Sequence, residues 1–137
     1  MISPDTSVVV AALAPWHEAH ESAAAALLGE EVRLVAHVGY EVTSTLSRMP
    51  EGSRISPAVV LEALQHRFSD GWLALDGSEL SLALRRAVDA GIRGGALYDA
   101  LIAATALRFG ARIVTADRRA RPVYEAMGVE AVVLQVS

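Results

Sequence analysis

Four acidic residues stand at positions that packing alone does not explain. Asp5 follows the apolar start of the chain, and Asp117 follows the apolar segment 112–115. Glu41 and Asp99 lie early in two apolar segments that have the residue pattern of helices. Carboxylates at strand ends and at the starts of facing helices can converge, and such a cluster at neutral pH requires a divalent cation. The four residues therefore predict a metal site.

Each of these acids also has a simpler explanation when it is taken alone. Asp5 could only cap the helix that follows it, and Asp99 could only complement the dipole of its own helix. Glu41 could be a solvated helix residue, and Asp117 could begin a turn. The four together favour a shared site, because separate coincidences would each have to fall at a strand end or on a buried helix.

The predicted site has the ligands of a phosphodiester hydrolase. Thr6 and Thr115 add hydroxyl groups next to two of the acids. Oxygen ligands without His or Cys select Mg²⁺ or Mn²⁺ over zinc. One or two such ions lower the pKa of bound water and stabilise the attacking and leaving oxygens of a phosphodiester. One of the acids could then orient or deprotonate the water.

Composition and charge narrow the class of protein. The 137 residues are 53% apolar and predict a single domain over residues 1–137. No segment is apolar enough to span a bilayer, and no signal peptide or Cys is present, which is consistent with a cytoplasmic protein. A net charge of −4 is not typical of a protein that binds nucleic acid, although a bound cation would offset the negative charge of the four acids.

Segments typical of strands and helices alternate along the chain. This alternation predicts an α/β fold with a mostly parallel sheet that is covered on both faces. The predicted strands are residues 2–4, 33–36, 72–75, 112–115 and 130–134. The predicted helices are residues 6–14, 17–28, 38–48, 57–68, 78–90, 97–109 and 120–127. In open parallel sheets, ligands bind beyond the carboxyl ends of the strands, which is where Asp5 and Asp117 fall.

Four short motifs, taken in order, resemble those of the PIN-domain nucleases. They are Ser3-Pro4-Asp5-Thr6-Ser7, Tyr40-Glu41-Val42, the segment 97–106 that contains Asp99-Ala100-Leu101-Ile102-Ala103-Ala104, and Val114-Thr115-Ala116-Asp117-Arg118. The resemblance covers the whole chain, and the size is similar to that of the VapC-type toxins of bacterial toxin–antitoxin pairs. The helix motif followed by Thr-x-Asp is the more specific part of the pattern.

The resemblance implies a fold and a set of site residues. The PIN-like fold is a five-stranded parallel sheet of order 3-2-1-4-5, which would place Asp5 and Asp117 on adjacent strands. The family's acidic quartet falls on Asp5, Glu41, Asp99 and Asp117. Its hydroxyl beside the metal falls on Thr6 or Ser7, with Thr115 in support.

The resemblance also implies an activity and partners. It indicates a Mg²⁺- or Mn²⁺-dependent endoribonuclease that acts on RNA, forms a homodimer and is silenced by a cognate antitoxin protein. Some relatives carry a further acid after the last Asp, whereas Arg118, Arg119 and Ala120 stand here, so a second metal site is incomplete. The alternatives are a PIN-type RNA-processing nuclease that is not a toxin, and a non-catalytic binding or regulatory domain of the same fold.

Several basic residues lie near the predicted site. Arg118, Arg119 and Arg121 could hold RNA phosphates, contact an acid of the antitoxin, or only solvate the start of a helix. His17 and His20 are three residues apart, not the four that a zinc protease helix requires, so a solvated helix start is favoured. His37 is expected to cap the helix that carries Glu41, with a catalytic role as the lesser alternative.

Overall fold

The structure is a computed structural model, and it describes residues 1–135. The predicted alternation of strands and helices is wrong in the first part of the chain, where six helices follow the first strand, and it holds only after residue 112. The strands are β1 (Ile2–Pro4), β2 (Arg112–Thr115) and β3 (Ala131–Val133). The helices are α1 (Thr6–Leu13), α2 (His20–Ala26), α3 (Ala36–Ser47), α4 (Pro57–Arg67), α5 (Gly77–Asp89), α6 (Ala96–Arg108) and α7 (Arg121–Ala126). A short 3-10 turn, Arg118–Ala120, precedes α7.

The three strands form a parallel sheet in the order β1-β2-β3. Ile2 pairs with Arg112, and Ile113 pairs with Ala131, so β2 lies in the centre. Successive residues of a strand point to opposite faces of the sheet, and Ile113 and Val114 belong to two different clusters of buried apolar side chains. The α/β class, the parallel sheet and its cover on both faces are therefore confirmed.

Two predicted strands take a different form. Val35 and Leu73 of these segments make one isolated parallel bridge, and Val32, just before the first segment, makes another with Ile2. Neither segment, 33–36 or 72–75, is a strand within residues 1–135. The extended stretch after Val32 is short because α3 already begins at Ala36. A ladder needs several consecutive pairs, and these segments turn away too soon to provide them.

Helix boundaries follow the capping residues. Asp5 and Ser56 cap α1 and α4, because each accepts a hydrogen bond from the backbone N–H three residues later. Asp76 and Glu79 form a capping box at the start of α5. The predicted helix 17–28 begins only at His20, since the backbone between Ala14 and His20 is occupied by turns.

The sheet and two helices bring distant residues to one edge. The N–H of Asp5 donates to the carbonyl of Val114 at 2.9 Å, so the end of β1 stays paired with β2. Asp5 therefore lies beside the end of β2, where Thr115 is the last residue. Helices α3 and α6 pack against each other and carry Glu41 and Asp99. Within residues 1–135, no helix has the length and apolarity to cross a bilayer.

Candidate active site

All four predicted acids line one cavity at the carboxyl ends of β1 and β2. The cavity has a volume of about 360 Å³, which is enough for an ion and several waters. Its polar lining is Asp5, Thr6, Ser7, His17, Glu41, Thr45, Asp99, Asp117 and Tyr124. The structure thus brings together the carboxylates that the sequence distributes over more than a hundred residues.

Asp5 forms the buried part of the cavity wall, with only 3% of its surface exposed. Oδ1 accepts hydrogen bonds from the Ser7 hydroxyl at 2.5 Å and from the Val8 N–H at 3.3 Å, and Oδ2 accepts one from the Tyr124 hydroxyl at 2.7 Å. Burial raises the pKa of Asp5, and the hydrogen bonds oppose that rise. Asp5 therefore caps α1 and also faces the cavity, so both explanations of this residue apply.

Tyr124, on α7, is a site residue that sequence reasoning missed. It is buried, and its hydroxyl donates to Asp5. Burial raises the pKa of Tyr124 well above its usual range, and the nearby charge of Asp5 adds to the rise. The hydroxyl consequently stays protonated and available as a donor. The sequence could have indicated this residue through its chemistry, because a tyrosine buried in a core helix needs a hydrogen-bond partner for its hydroxyl.

Glu41 reaches the cavity from α3. Its Oε1 accepts a hydrogen bond from the Thr6 hydroxyl at 2.7 Å, and His37 Nε2 lies 3.7 Å from the same oxygen. The prediction that His37 caps α3 is wrong, because the N-cap is Val35 and no side chain caps the helix. The His37 ring instead stacks on Tyr98, with a centroid separation of 5.3 Å. Thr6 thus orients one oxygen of Glu41.

The pKa of Asp99 depends on its burial and on the charges of the other three acids. Its pKa rises to about 6, first because the carboxyl is partly buried and then because Asp5, Glu41 and Asp117 repel its charged form. All three neighbours act on Asp99 electrostatically, which requires that they lie close to it. A carboxyl group in such surroundings gains from any cation that enters the cavity.

Asp117 lies at the exposed side of the cavity, directly after β2. Its Oδ1 accepts from the N–H of Arg119 at 3.0 Å and from Arg119 Nε at 3.2 Å, so Asp117 also begins a turn. Its own N–H donates to the Thr115 hydroxyl oxygen at 3.0 Å. The Ser7 hydroxyl oxygen accepts from the Ala116 N–H at 2.9 Å, which ties this segment to α1.

The predicted arginine cluster is exposed next to Asp117. The side chain of Arg119 is 93% exposed although it pairs with Asp117. Arg121 Nε donates to Glu125 Oε1 at 2.7 Å along α7. Arg118 is exposed as well. None of the three is buried by its contacts, so each guanidinium remains open to an external anion.

His17 and His20 occupy different surroundings. His17 lines the cavity, and its Nδ1 accepts a hydrogen bond from the Ala19 N–H at 3.0 Å. His20 Nδ1 lies 2.8 Å from the carbonyl oxygen of Ala11, on α1. His17 therefore lines the cavity together with the acids, and His20 connects α2 to α1.

The donor set of the cavity fits a hard divalent cation. Its carboxylate and hydroxyl oxygens are the ligands that Mg²⁺ and Mn²⁺ prefer. In the part of the chain that the structure describes, no three His, Asp or Glu side chains are yet close enough together to hold an ion. Thr6, Tyr124 and Arg119 each donate to one of the carboxylates, which are those of Glu41, Asp5 and Asp117 in that order.

Comparisons with known proteins bear on the family and the fold. The family model of the PIN domain matches residues 2–126. Ribonuclease VapC40 of Mycobacterium tuberculosis is 43% identical over 130 residues, which cover 95% of this chain and 96% of that protein. Ribonuclease VapC27 of the same species is 35% identical over 132 residues and 96% of each chain. The crystal structure of FitAcB from Neisseria gonorrhoeae matches with a TM-score of 0.70 over 96% of both chains, and at 23% identity it supports the fold alone.

Proposed function

This chain belongs to the PIN-domain family, and we propose that it is a Mg²⁺- or Mn²⁺-dependent endoribonuclease, the toxin of a type II toxin–antitoxin pair. The main support is the cavity that Asp5, Glu41, Asp99 and Asp117 line together. The relatives named as VapC ribonucleases, with identities of 43% and 35% over almost the whole chain, support the activity and the toxin class. The enzyme acts in the cytoplasm, where its RNA substrate lies.

Asp5, Asp99 and Asp117 hold the cation, and Glu41 completes its surroundings. A bound Mg²⁺ or Mn²⁺ supplies a water of lowered pKa and positive charge for the phosphodiester oxygens. The protein residues supply orientation. Tyr124 and Ser7 fix the two oxygens of Asp5, and Thr6 fixes one oxygen of Glu41. Because no acid stands at positions 118–120, one ion is the expected number.

Arg118, Arg119 and Arg121 form an anion-binding side of the cavity. Their exposed guanidinium groups follow Asp117 directly in the sequence and suit the phosphates of an RNA strand. The Glu125 partner leaves Arg121 less free than the other two. Replacing Arg118 and Arg119 with Ala is expected to weaken RNA binding and to flatten its salt dependence.

Protein partners are a further part of the proposal. Large apolar side chains are exposed on α5, namely Leu80, Leu82, Leu84 and Val88. Leu80, Leu84 and Val88 recur every four residues and share one side of α5, whereas Leu82 projects from another side. The apolar side formed by the first three is typical of an interface between proteins, and it supports a homodimer and an antitoxin that binds the folded enzyme. Light scattering is expected to give twice the mass of the 14.5 kDa chain, and a mass of one chain would contradict the dimer.

We further propose that the sheet has five strands in the order 3-2-1-4-5. Its support is the pair of isolated bridges, which would set residues 72–75 beside 33–36 and the latter beside β1. Hydrogen bonds from Leu73 N to Leu34 O and from Ala36 N to Leu73 O, each 2.8 Å, add to that support. Slow amide hydrogen exchange at Leu73 and Ala36 would extend the sheet to these segments, whereas rapid exchange at both would contradict it.

The decisive test of the activity is cleavage of RNA by the purified protein. With Mg²⁺ or Mn²⁺, the products are expected to carry a 5′-phosphate and a free 3′-hydroxyl, because water is the nucleophile. Asp99→Asn should lower the rate at least about 100-fold, since it removes a cation ligand. Asp89→Asn is the matched control, because Asp89 lies exposed on α5 and pairs only with Arg85. A 2′,3′-cyclic phosphate, or equal rates for Asp99→Asn and the wild type, would overturn the proposal.

A further inference from the structure

His17 is held rigidly at the edge of the acidic cavity, although it lies between helices. Its N–H donates to the carbonyl of Ala14 at 2.9 Å, and its own carbonyl accepts from the His20 N–H at 3.0 Å. These turns join α1 to α2 and fix the backbone on both sides of the residue. The imidazole side chain lines the same cavity as the four acids.

The Ala19 N–H assigns the tautomer of the His17 ring. It donates to Nδ1 at 3.0 Å, so Nδ1 must offer its lone pair. A neutral imidazole carries one hydrogen, and that hydrogen is then on Nε2. An imidazolium would set an N–H at Nδ1 against the N–H of Ala19. The arrangement therefore leaves a neutral donor, the Nε2–H group, on a residue that lines the cavity.

Three other donors of the cavity are already engaged with its carboxylates. The hydroxyls of Ser7 and Tyr124 donate to Asp5, and the hydroxyl of Thr6 donates to Glu41. Thr45, on α3, makes no side-chain hydrogen bond among residues 1–135, so its hydroxyl is also free. In the same range His17 Nε2 makes no hydrogen bond to a protein atom, and it is therefore free to meet an incoming ligand.

We propose that His17 positions the RNA strand by donating a hydrogen bond from Nε2 to a non-bridging phosphate oxygen. This role rests on the proposed ribonuclease activity and names a substrate contact within that site. The ring acts as a fixed neutral donor, and no proton leaves it during the reaction. The role complements the arginines, which attract phosphates by charge, because a neutral donor selects the position of the phosphate and leaves the charge of the cavity unchanged.

The tautomer can be tested in the RNA-free protein. A long-range nitrogen–proton NMR spectrum at neutral pH should show a bare Nδ1 and a protonated Nε2 for His17, with His17→Gln used to assign the signals. The opposite tautomer would overturn the proposal whether or not the protein cuts RNA. The ribonuclease proposal would be unaffected by that result, so the two can fail separately.

The contact itself is tested by RNA binding. Anisotropy of a fluorescein-labelled RNA pool of random sequence is measured with Mg²⁺ in an Asp99→Asn background, which keeps the strand intact. Adding His17→Ala should weaken binding about tenfold, the usual effect of losing a hydrogen bond to a charged group. Adding His17→Gln should restore most of the affinity, since its amide N–H can replace Nε2–H. His66→Ala, at an exposed position of α4, is the control and should bind as the parent does.

Salt dependence separates a neutral donor from a charged one. The slope of log affinity against log salt should be the same for His17→Ala and its parent, because a neutral contact releases no counterion. Arg119→Ala should lower the slope by about one. Unchanged affinity for His17→Ala, no rescue by Gln, or a slope reduced by about one would each overturn the role of His17. If the parent binds no RNA and the wild type cuts none, the ribonuclease proposal fails, and this contact with it.

Discussion

The two aspartates that follow β1 and β2 occupy opposite kinds of surroundings within one cavity. Asp5 is 3% exposed, and Ser7 and Tyr124 hold its two oxygens from different sides. The side chain of Asp117 is 39% exposed, and its partner is the freely exposed Arg119. One carboxylate is thus fixed before any cation arrives, whereas the other can still move to meet it.

This contrast divides the cavity into a floor and a rim. The floor is Asp5, Ser7 and Tyr124, which are joined by hydrogen bonds, and the buried hydroxyl of Thr115 lies beside Ser7. The rim is Glu41, Asp99 and Asp117, whose charges repel one another. Thr6 donates to Glu41, and the exposed Arg119 donates to Asp117. The floor should therefore contribute to the free energy of unfolding, and the rim should cost stability until a cation binds.

The largest expected effect on stability comes from the floor. Tyr124→Phe removes the donor to Asp5 Oδ2 and leaves a buried carboxylate oxygen unsatisfied. The free energy of unfolding should fall by about 1–3 kcal/mol, as measured by urea denaturation. Tyr98→Phe is the matched control, since that ring is largely exposed and should change stability by less than about 0.5 kcal/mol. Equal stability of the two variants would remove the distinction between floor and rim.

The next effect is a gain of stability in the rim. Asp99 has a folded-state pKa of about 6, above its ordinary 3.8, so the folded protein binds the extra proton between these values. The cost of the charged form is complete above about pH 6 and disappears as the pH falls to 3.8. With EDTA present, Asp99→Asn should be more stable than the wild type at pH 7, by on the order of 1–2 kcal/mol after screening by solvent.

The gain in stability expected of Asp99→Asn should depend strongly on pH. At pH 3.5 the two proteins should unfold at nearly the same urea concentration, because the wild-type carboxyl is then neutral in the folded state and mostly neutral in the unfolded state. Asp89→Asn controls for a general effect of removing one acid from the surface. A gain that is absent at pH 7, or that persists undiminished at pH 3.5, would show that the cost of a charged Asp99, from burial and from repulsion, is not its cause.

The smallest effect is expected at the edge of the rim. Arg119→Ala removes an exposed ion pair with Asp117 and should change the free energy of unfolding by less than about 0.5 kcal/mol. The same variant should weaken RNA binding, so the expected result is a loss of affinity with almost no loss of stability. A large loss of stability would mean that Asp117 is held as firmly as Asp5.

The positions of the acids along the chain were largely predictable from the sequence, whereas their contacts with other side chains of the cavity were not. Asp5 and Asp117 end apolar strands, and Asp99 opens an apolar helix, so their positions follow from local pattern alone. Tyr124 depends on how α7 packs against the end of β1, and no local pattern reports that contact. The sequence predicts that His17 lies at a solvated helix start. The turns that place it at the cavity are formed by backbone hydrogen bonds, which the residue types do not indicate.

The same reasoning explains the sheet. Residues 2–4 and 112–115 pair continuously and were predicted with their bounds. Residues 33–36 and 72–75 have the composition of strands, but their pairing stops at one bridge each. The start of α3 at Ala36 decides this outcome, and it depends on a 2.8 Å hydrogen bond to Leu73, a residue distant in the sequence. Composition cannot indicate where such a contact interrupts a strand.

The most direct measurement of the central claim is the anomalous scattering from a crystal soaked in Mn²⁺. The expected result is a single strong peak in the cavity, bonded to oxygens of Asp5, Asp99 and Asp117, with the floor unmoved and the rim drawn inward. No peak in the cavity at an occupancy that Mn²⁺ reaches elsewhere in the crystal, or a peak that leaves Asp5 and Asp99 uncoordinated, would contradict a shared cation.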